Sequence, residues 1–157
     1  MKVSANGIQV AHEFEGLQLK AYPDPGSADG KPWTIGYGHT GPEVVKGLVW
    51  TKAQADATFV ADLAKFEARA AKFVTVPLTQ GQFDAIVLFD YNTGALGSST
   101  LLKKLNSKDY AGAREEFKRW NKNDGQVMKG LTRRRAAEVG LWDGMSGDKA
   151  IAAGRAA

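Results

Sequence analysis

The chain has no cysteine, which removes disulfides and thiolate metal sites from the ways it can hold itself together or do chemistry. It has only two histidines. His12-Glu13-Phe14-Glu15-Gly16 starts like a zinc-protease helix, but Gly16 stands where the second histidine would be. A histidine-based catalytic metal is therefore not expected, and no metal or organic cofactor is called for. No Gly-x-Ser-x-Gly elbow occurs, so a serine triad is not indicated. No run of about 18 apolar residues exists to cross a bilayer. The opening Met1-Lys2-Val3-Ser4-Ala5-Asn6 lacks the apolar stretch of a classical signal peptide, so export, if needed, is expected to use another route. There are no internal repeats and no linker within the body.

What is present suits a single globular domain. At 157 residues, with 43% apolar and 24% charged side chains, the chain can bury a core without staples. Net charge is +4, but it is uneven: Lys103 to Arg135 carries eleven Lys and Arg against four acids, or +7, leaving −3 elsewhere. Such a basic C-terminal half favours an anionic polymer or surface as partner. Lys118, Arg119, Lys122, Arg133, Arg134 and Arg135 are expected to face solvent, because Phe117, Trp120, Leu131 and Leu141 already supply the apolar stripes there.

The first third reads as a short helix followed by a small hairpin. Asn6 is placed to cap a helix whose apolar positions are Ile8, Ala11, Phe14 and Leu17, and Gly16 is placed to stop it. Leu17 to Tyr22 alternates as a strand. Pro23 to Pro32, with three prolines and two glycines, is a loop, and Thr34 to Tyr37 is a second strand. From Thr51 the signals are helical. Thr51-x-x-Gln54 and Thr79-x-x-Gln82 are capping boxes, the first opening a stripe of Ala53, Ala57, Val60, Ala64 and Ala68. The second opens Phe83 to Phe89, apolar almost all round, as a buried central helix ended by Asn92-Thr93-Gly94. Ser98-Ser99-Thr100 starts a short helix through Leu105. Tyr110, Ala113, Phe117 and Trp120 mark another, and Thr132 to Trp142 the last. Residues 143–157, rich in Gly and Ala, are expected to form a loose tail. The fold class is α+β.

Gly36-x-Gly38-x-x-Gly41 formally matches a dinucleotide fingerprint, but Pro42 follows and no parallel-strand pattern supports it; a tight β-turn explains the glycines. The acids carry more information. Glu15 closes the first helix and Asp24 sits nine positions later between Pro23 and Pro25, just before the Gly-rich run Trp33-Thr34-Ile35-Gly36-Tyr37-Gly38-His39-Thr40-Gly41. Two carboxylates on either side of a turn can flank one bond, as glycoside hydrolysis requires. Near a helix C-terminus the dipole favours a protonated carboxyl, the form a general acid needs. Asp29, before Gly30, competes with Asp24 for the second role. His12 reads as a surface or capping residue, while His39 is near enough to the acids to support a site.

Glu15-Gly16-Leu17-x-Leu19-Lys20-Ala21-Tyr22-x-Asp24 and Trp33 to Thr40 resemble the phage-type lysozyme (endolysin) family of muramidases. Gln82-Phe83-Asp84-Ala85, Phe89-x-Tyr91-Asn92-x-Gly94, Ser98 to Asn106, Phe117-x-x-Trp120, Gly130-Leu131-x-x-Arg134-Arg135 and Glu138-x-x-Leu141-Trp142 extend the likeness from about Glu13 to Trp142. The resemblance implies a lysozyme-like fold, a small β-hairpin lobe and a larger helical lobe with a cleft between them. It implies cleavage of the β-1,4 bond between N-acetylmuramic acid and N-acetylglucosamine in peptidoglycan, and hence bacterial lysis. The family's catalytic Glu, Asp and Thr map to Glu15, Asp24 and Thr34. Tyr37 and His39, in the same motif, are candidate substrate contacts. It further implies a monomer that acts on peptidoglycan glycan strands without nucleic acid, stored in the host cytoplasm until a holin-type pore admits it to the periplasm and wall. Two other functions fit the residues: a lytic transglycosylase, using the same Glu without an activated water, and a non-catalytic wall-binding module.

Overall fold

Capping residues set most of the helix boundaries. The computed structural model, which describes residues 1–157, contains helices α1 (Ala5–Glu15), α2 (Lys52–Phe73), α3 (Gln80–Thr93), α4 (Thr100–Asn106), α5 (Tyr110–Glu116), α6 (Lys129–Trp142) and α7 (Gly147–Ala156). Strands β1 (Gln18–Tyr22), β2 (Thr34–Gly36) and β3 (His39–Thr40) form an antiparallel sheet in that order, and β4 (Lys122–Asn123) pairs with β5 (Gln126–Val127). The architecture is α+β, as expected. Both predicted capping boxes form: Thr51 N–H donates to Gln54 Oε1 at 2.8 Å while Thr51 Oγ1 accepts from Gln54 N–H, and Thr79 and Gln82 repeat the exchange. Ser99 caps α4 by accepting from Leu102 N–H.

The chain divides into two compact units, one formed by residues 1–11 and 65–157, the other by residues 12–64. The larger unit is built on α3, in which Phe83 through Asp90 are all buried. Its buried carboxylates are answered. Asp84 accepts from Ser4 and from Gln80 Nε2, and Asp90 accepts from Arg69 Nε at 2.6 Å and from Leu96 N–H at 3.2 Å. Such groups are tolerated inside only because donors meet them.

Three expectations are corrected in this unit. Asn6 does not cap α1; Ser4 does, its hydroxyl accepting from Gly7 N–H, and Asn6 Oδ1 instead accepts from Gly147 N–H at 2.9 Å. That contact opens α7, so residues 147–156, expected to be part of a loose tail, are a helix capped by Ser146 with Gly147, Ala150, Ile151 and Gly154 buried. The small residues there serve close packing: a Cβ added to Gly140 on α6 would lie 3.1 Å from Ala150 Cα. Arg134 and Arg135, expected to face solvent, are 7% and 1% exposed. Arg135 Nε lies 2.8 Å from Glu138 Oε1, and its Nη2 donates to Asn92 Oδ1 at 2.8 Å and Glu138 Oε2 at 2.9 Å.

The stripe assigned to α2 is also on the wrong face. Ala53, Ala57, Val60, Ala64 and Ala68 are exposed, and Ala55, Phe59, Leu63 and Ala70 are buried. Both sets obey three- and four-residue steps, and the aromatic and the leucine bury far more area than alanines do.

The smaller unit has its own core, Ala21, Ile35 and Val44 with Trp33, Leu48 and Trp50 packed against them. β1 is paired on both sides, to β2 with Tyr22 opposite Thr34, and through a bridge from Lys20 to Val49.

Candidate active site

Glu15, Asp24 and Thr34 all lie in the smaller unit, on consecutive pieces of chain. Glu15 is the last residue of α1; Gly16 then takes φ +70° and its N–H reaches back to His12 O at 3.2 Å, ending the helix and turning the chain into β1. A residue with a Cβ is disfavoured at that φ, so glycine fixes where the carboxylate stands relative to the sheet. Asp24 follows two residues after β1 ends, and Thr34 opens β2 opposite Tyr22. The hairpin thus places Asp24 and Thr34 at its loop end and Glu15 at the helix junction that precedes it. All three side chains are partly exposed.

The two competing aspartates differ in how their carboxylates are used. Asp24 Oδ1 accepts from Gly26 N–H at 2.9 Å in a short turn, while its backbone N–H donates to Gly30 O. Asp29 Oδ1 accepts from the Ser27 hydroxyl at 2.6 Å and from Lys31 N–H at 3.0 Å. Those two bonds, Ser27 first, pull the Asp29 carboxyl below the usual range. Asp29 is knitted into its own loop, whereas Asp24 keeps one oxygen outside the turn's bond.

Tyr37 and His39, expected as substrate contacts, both have their polar side-chain atoms engaged within the protein. Tyr37 is 5% exposed, its hydroxyl donates to Asp56 Oδ1 at 2.8 Å, and its ring stacks on His12 with centroids 4.0 Å apart. Burial, then the Asp56 hydrogen bond, push its phenol upward. His12, expected at the surface or as a cap, is half-buried: it also packs on Phe59 at 5.2 Å, its Nε2 is buried without a hydrogen-bond partner, and burial lowers its pKa. These rings brace the end of α1 that carries Glu15. His39 is held at both nitrogens, Nδ1 2.7 Å from Asp62 Oδ2 and Nε2 2.6 Å from Glu43 Oε1. The sequence carried one signal for this clamp, the four-residue step from His39 to Glu43; Asp62 is too distant in the chain to be read.

Burial works to lower the His39 pKa, but hydrogen bonds and charge from Glu43 and Asp62 outweigh it and the net is upward. A raised pKa contributes stability that is complete below the unfolded value of about 6.5 and is lost as pH rises through the folded value. Wild type is therefore expected to lose stability as pH rises above about 6.5, and His39→Gln to lose that dependence. Urea unfolding midpoints across that range check this; an unchanged slope in the variant would overturn it.

The family model "Phage lysozyme" matches residues 12–138, which includes Glu15, Asp24 and Thr34. The sequence is 45% identical over 145 residues to an endolysin of Bacillus phage PZA, covering 91% of this chain and 55% of that protein. It is 41% identical over 149 residues to an endolysin of Acyrthosiphon pisum secondary endosymbiont phage 1, covering 91% and 99%. The chain spans about half the length of the Bacillus phage endolysins it matches. The backbone superposes on the muramidase domain of SpmX from Asticaccaulis excentricus with a TM-score of 0.81 at 35% identity, covering 90% of this chain and 97% of that one. An endolysin from Escherichia coli O157:H7 phage FAHEc1 gives a TM-score of 0.79, also at 35%, covering 90% and 93%.

Proposed function

The chain belongs to the phage lysozyme family, and from that premise we propose that it is a peptidoglycan hydrolase cleaving the β-1,4 bond between N-acetylmuramic acid and N-acetylglucosamine. The observation that carries the reading is the order of parts within one unit: a Glu at a glycine-stopped helix end, a strand, an Asp in a turn, and a Thr opening the paired strand. Glu15 donates its proton to the glycosidic oxygen as the bond to the anomeric carbon breaks. Asp24 and Thr34 hold a water on the opposite face; its oxygen bonds the anomeric carbon and Asp24 takes the proton. That is an inverting hydrolysis, for which the carboxyls should stand roughly 6.5–9.5 Å apart. Action follows release through a holin-type opening from host cytoplasm to periplasm and wall, and the exposed cations of the basic half, Lys122 among them, draw the enzyme to the anionic envelope.

The test is product analysis on purified peptidoglycan. New reducing ends are expected; anhydro ends would instead assign a transglycosylase, and no cleavage would overturn the enzymatic reading. On the same substrate Asp24→Asn is expected to lower turnover by about a hundredfold or more, and Asp29→Asn only slightly. Thr34→Ala should impair turnover by loosening the water. A damaging Asp29→Asn with a tolerated Asp24→Asn would reverse the assignment.

A further inference from the structure

A groove of about 820 Å³ opens in the smaller unit, and neither Glu15, Asp24 nor Thr34 lines it. Trp33 and the buried Val44 form part of its wall, with Pro32, Pro42 and the exposed Val45. Its polar groups are few: Asp29, Lys31, Thr40 and Lys46. A concave, mainly apolar site of this size with a small number of charged groups is the general form of a ligand site. Both lysines are exposed and neither ammonium makes an ion pair within 4 Å, while the nearby Asp29 carboxylate is already engaged by Ser27 and Lys31 N–H. The lining therefore presents two cations with no ion-pair partner within 4 Å, Lys31 feeling the charge of the Asp29 carboxylate, above an apolar surface.

We propose that this groove binds the stem peptide of peptidoglycan, its apolar walls taking the aliphatic side chains and Lys31 and Lys46 taking the carboxylates. The proposal rests on the peptidoglycan-hydrolase reading above and names the part of that substrate recognised away from the scissile bond. The charge argument selects the occupant. The acetylated sugars are neutral where the lactyl group is amide-linked, so the negative charge of an intact strand lies on its stems. Place supports it as well: Thr40, which lines the groove, pairs with Thr34 across β2 and β3, and directly paired residues share a face of the sheet. A stem leaving the muramic acid beside the cleaved bond thus has the groove next to the strand that carries the proposed water-holding Thr.

The experiment titrates a soluble stem tripeptide, L-alanyl-γ-D-glutamyl-diaminopimelate, into the full chain, reading tryptophan fluorescence and calorimetric heat. Saturable binding is expected, weakened about fivefold or more in Lys31→Gln/Lys46→Gln. The same weakening is expected in wild type when the peptide carboxyls are amidated, an arm that needs no variant to fold. On stem-bearing strands the double variant should raise KM several-fold and leave kcat unchanged. No binding by wild type, or equal affinity for the acid and amidated peptides, overturns the proposal. Stem binding without strand cleavage would sink the hydrolase reading alone; cleavage without stem binding would sink the groove alone.

Discussion

Glu15→Gln is expected to remove lysis of chloroform-treated Gram-negative cells, by at least about a hundredfold, while the protein keeps its helix content and unfolding midpoint. The amide has nearly the same shape, so the α1 end braced by His12, Tyr37 and Phe59 should be undisturbed. It carries no proton that a departing sugar oxygen can take, and general acid catalysis is typically worth about 10²–10⁴-fold. The comparison with Asp24→Asn adds information. Loss of the acid should stop bond cleavage, whereas loss of the base should leave a protein able to protonate the leaving group but short of an activated water. Turbidity loss with time, corrected for folded fraction by circular dichroism, gives the measurement. Residual lysis within about tenfold of wild type, in a folded variant, would remove Glu15 from the general-acid role.

The parts of this site that are legible in the sequence are those set by local rules. Gly16 stops a helix because its φ is positive, the Pro- and Gly-rich run from Pro23 to Pro32 makes a loop, and Thr34 begins a strand, so the order Glu, Asp, Thr along the hairpin can be read directly. What escapes is set by contacts far apart in the chain. Tyr37 looks like an exposed motif aromatic until Asp56 and His12 are seen to occupy its two polar and ring surfaces. The Gly- and Ala-rich C-terminus reads as loose because small residues carry no stripe, yet they let α7 approach α6. On α2 an alanine stripe and an aromatic one share the same period, and side-chain area decides which is buried. The hairpin at Asp124-Gly125, with φ 49° and 78°, carries the Asp-Gly turn signal in a segment otherwise dominated by its charges.

Glu138→Ala is expected to destabilise the protein by about 3–5 kcal/mol, a large share of the roughly 5–15 kcal/mol typical of a domain. The run Arg133-Arg134-Arg135 looks like a solvated basic face, but Arg135 is among the largest fully buried side chains, and its guanidinium lies 5.4 Å from the Phe89 ring centroid. Glu138 is fully buried and sits between two of these arginines, 2.8 Å from Arg135 Nε and 3.6 Å from Arg134 Nε. Removing it leaves the Arg135 charge in the interior with Asn92 Oδ1 and the Trp120 carbonyl as its acceptors. Desolvation of an unanswered charge costs more than the ion pair gains, so the single deletion should be worse than removing both charges. Arg135→Met combined with Glu138→Leu is accordingly expected to recover much of the loss, because two apolar side chains can refill the space beside Phe89. Urea unfolding of Arg135→Met, Glu138→Leu and the double variant measures the coupling. If Glu138→Ala costs under about 1 kcal/mol, or the double variant costs the sum of the singles, the buried pair is not what holds α6 against α3.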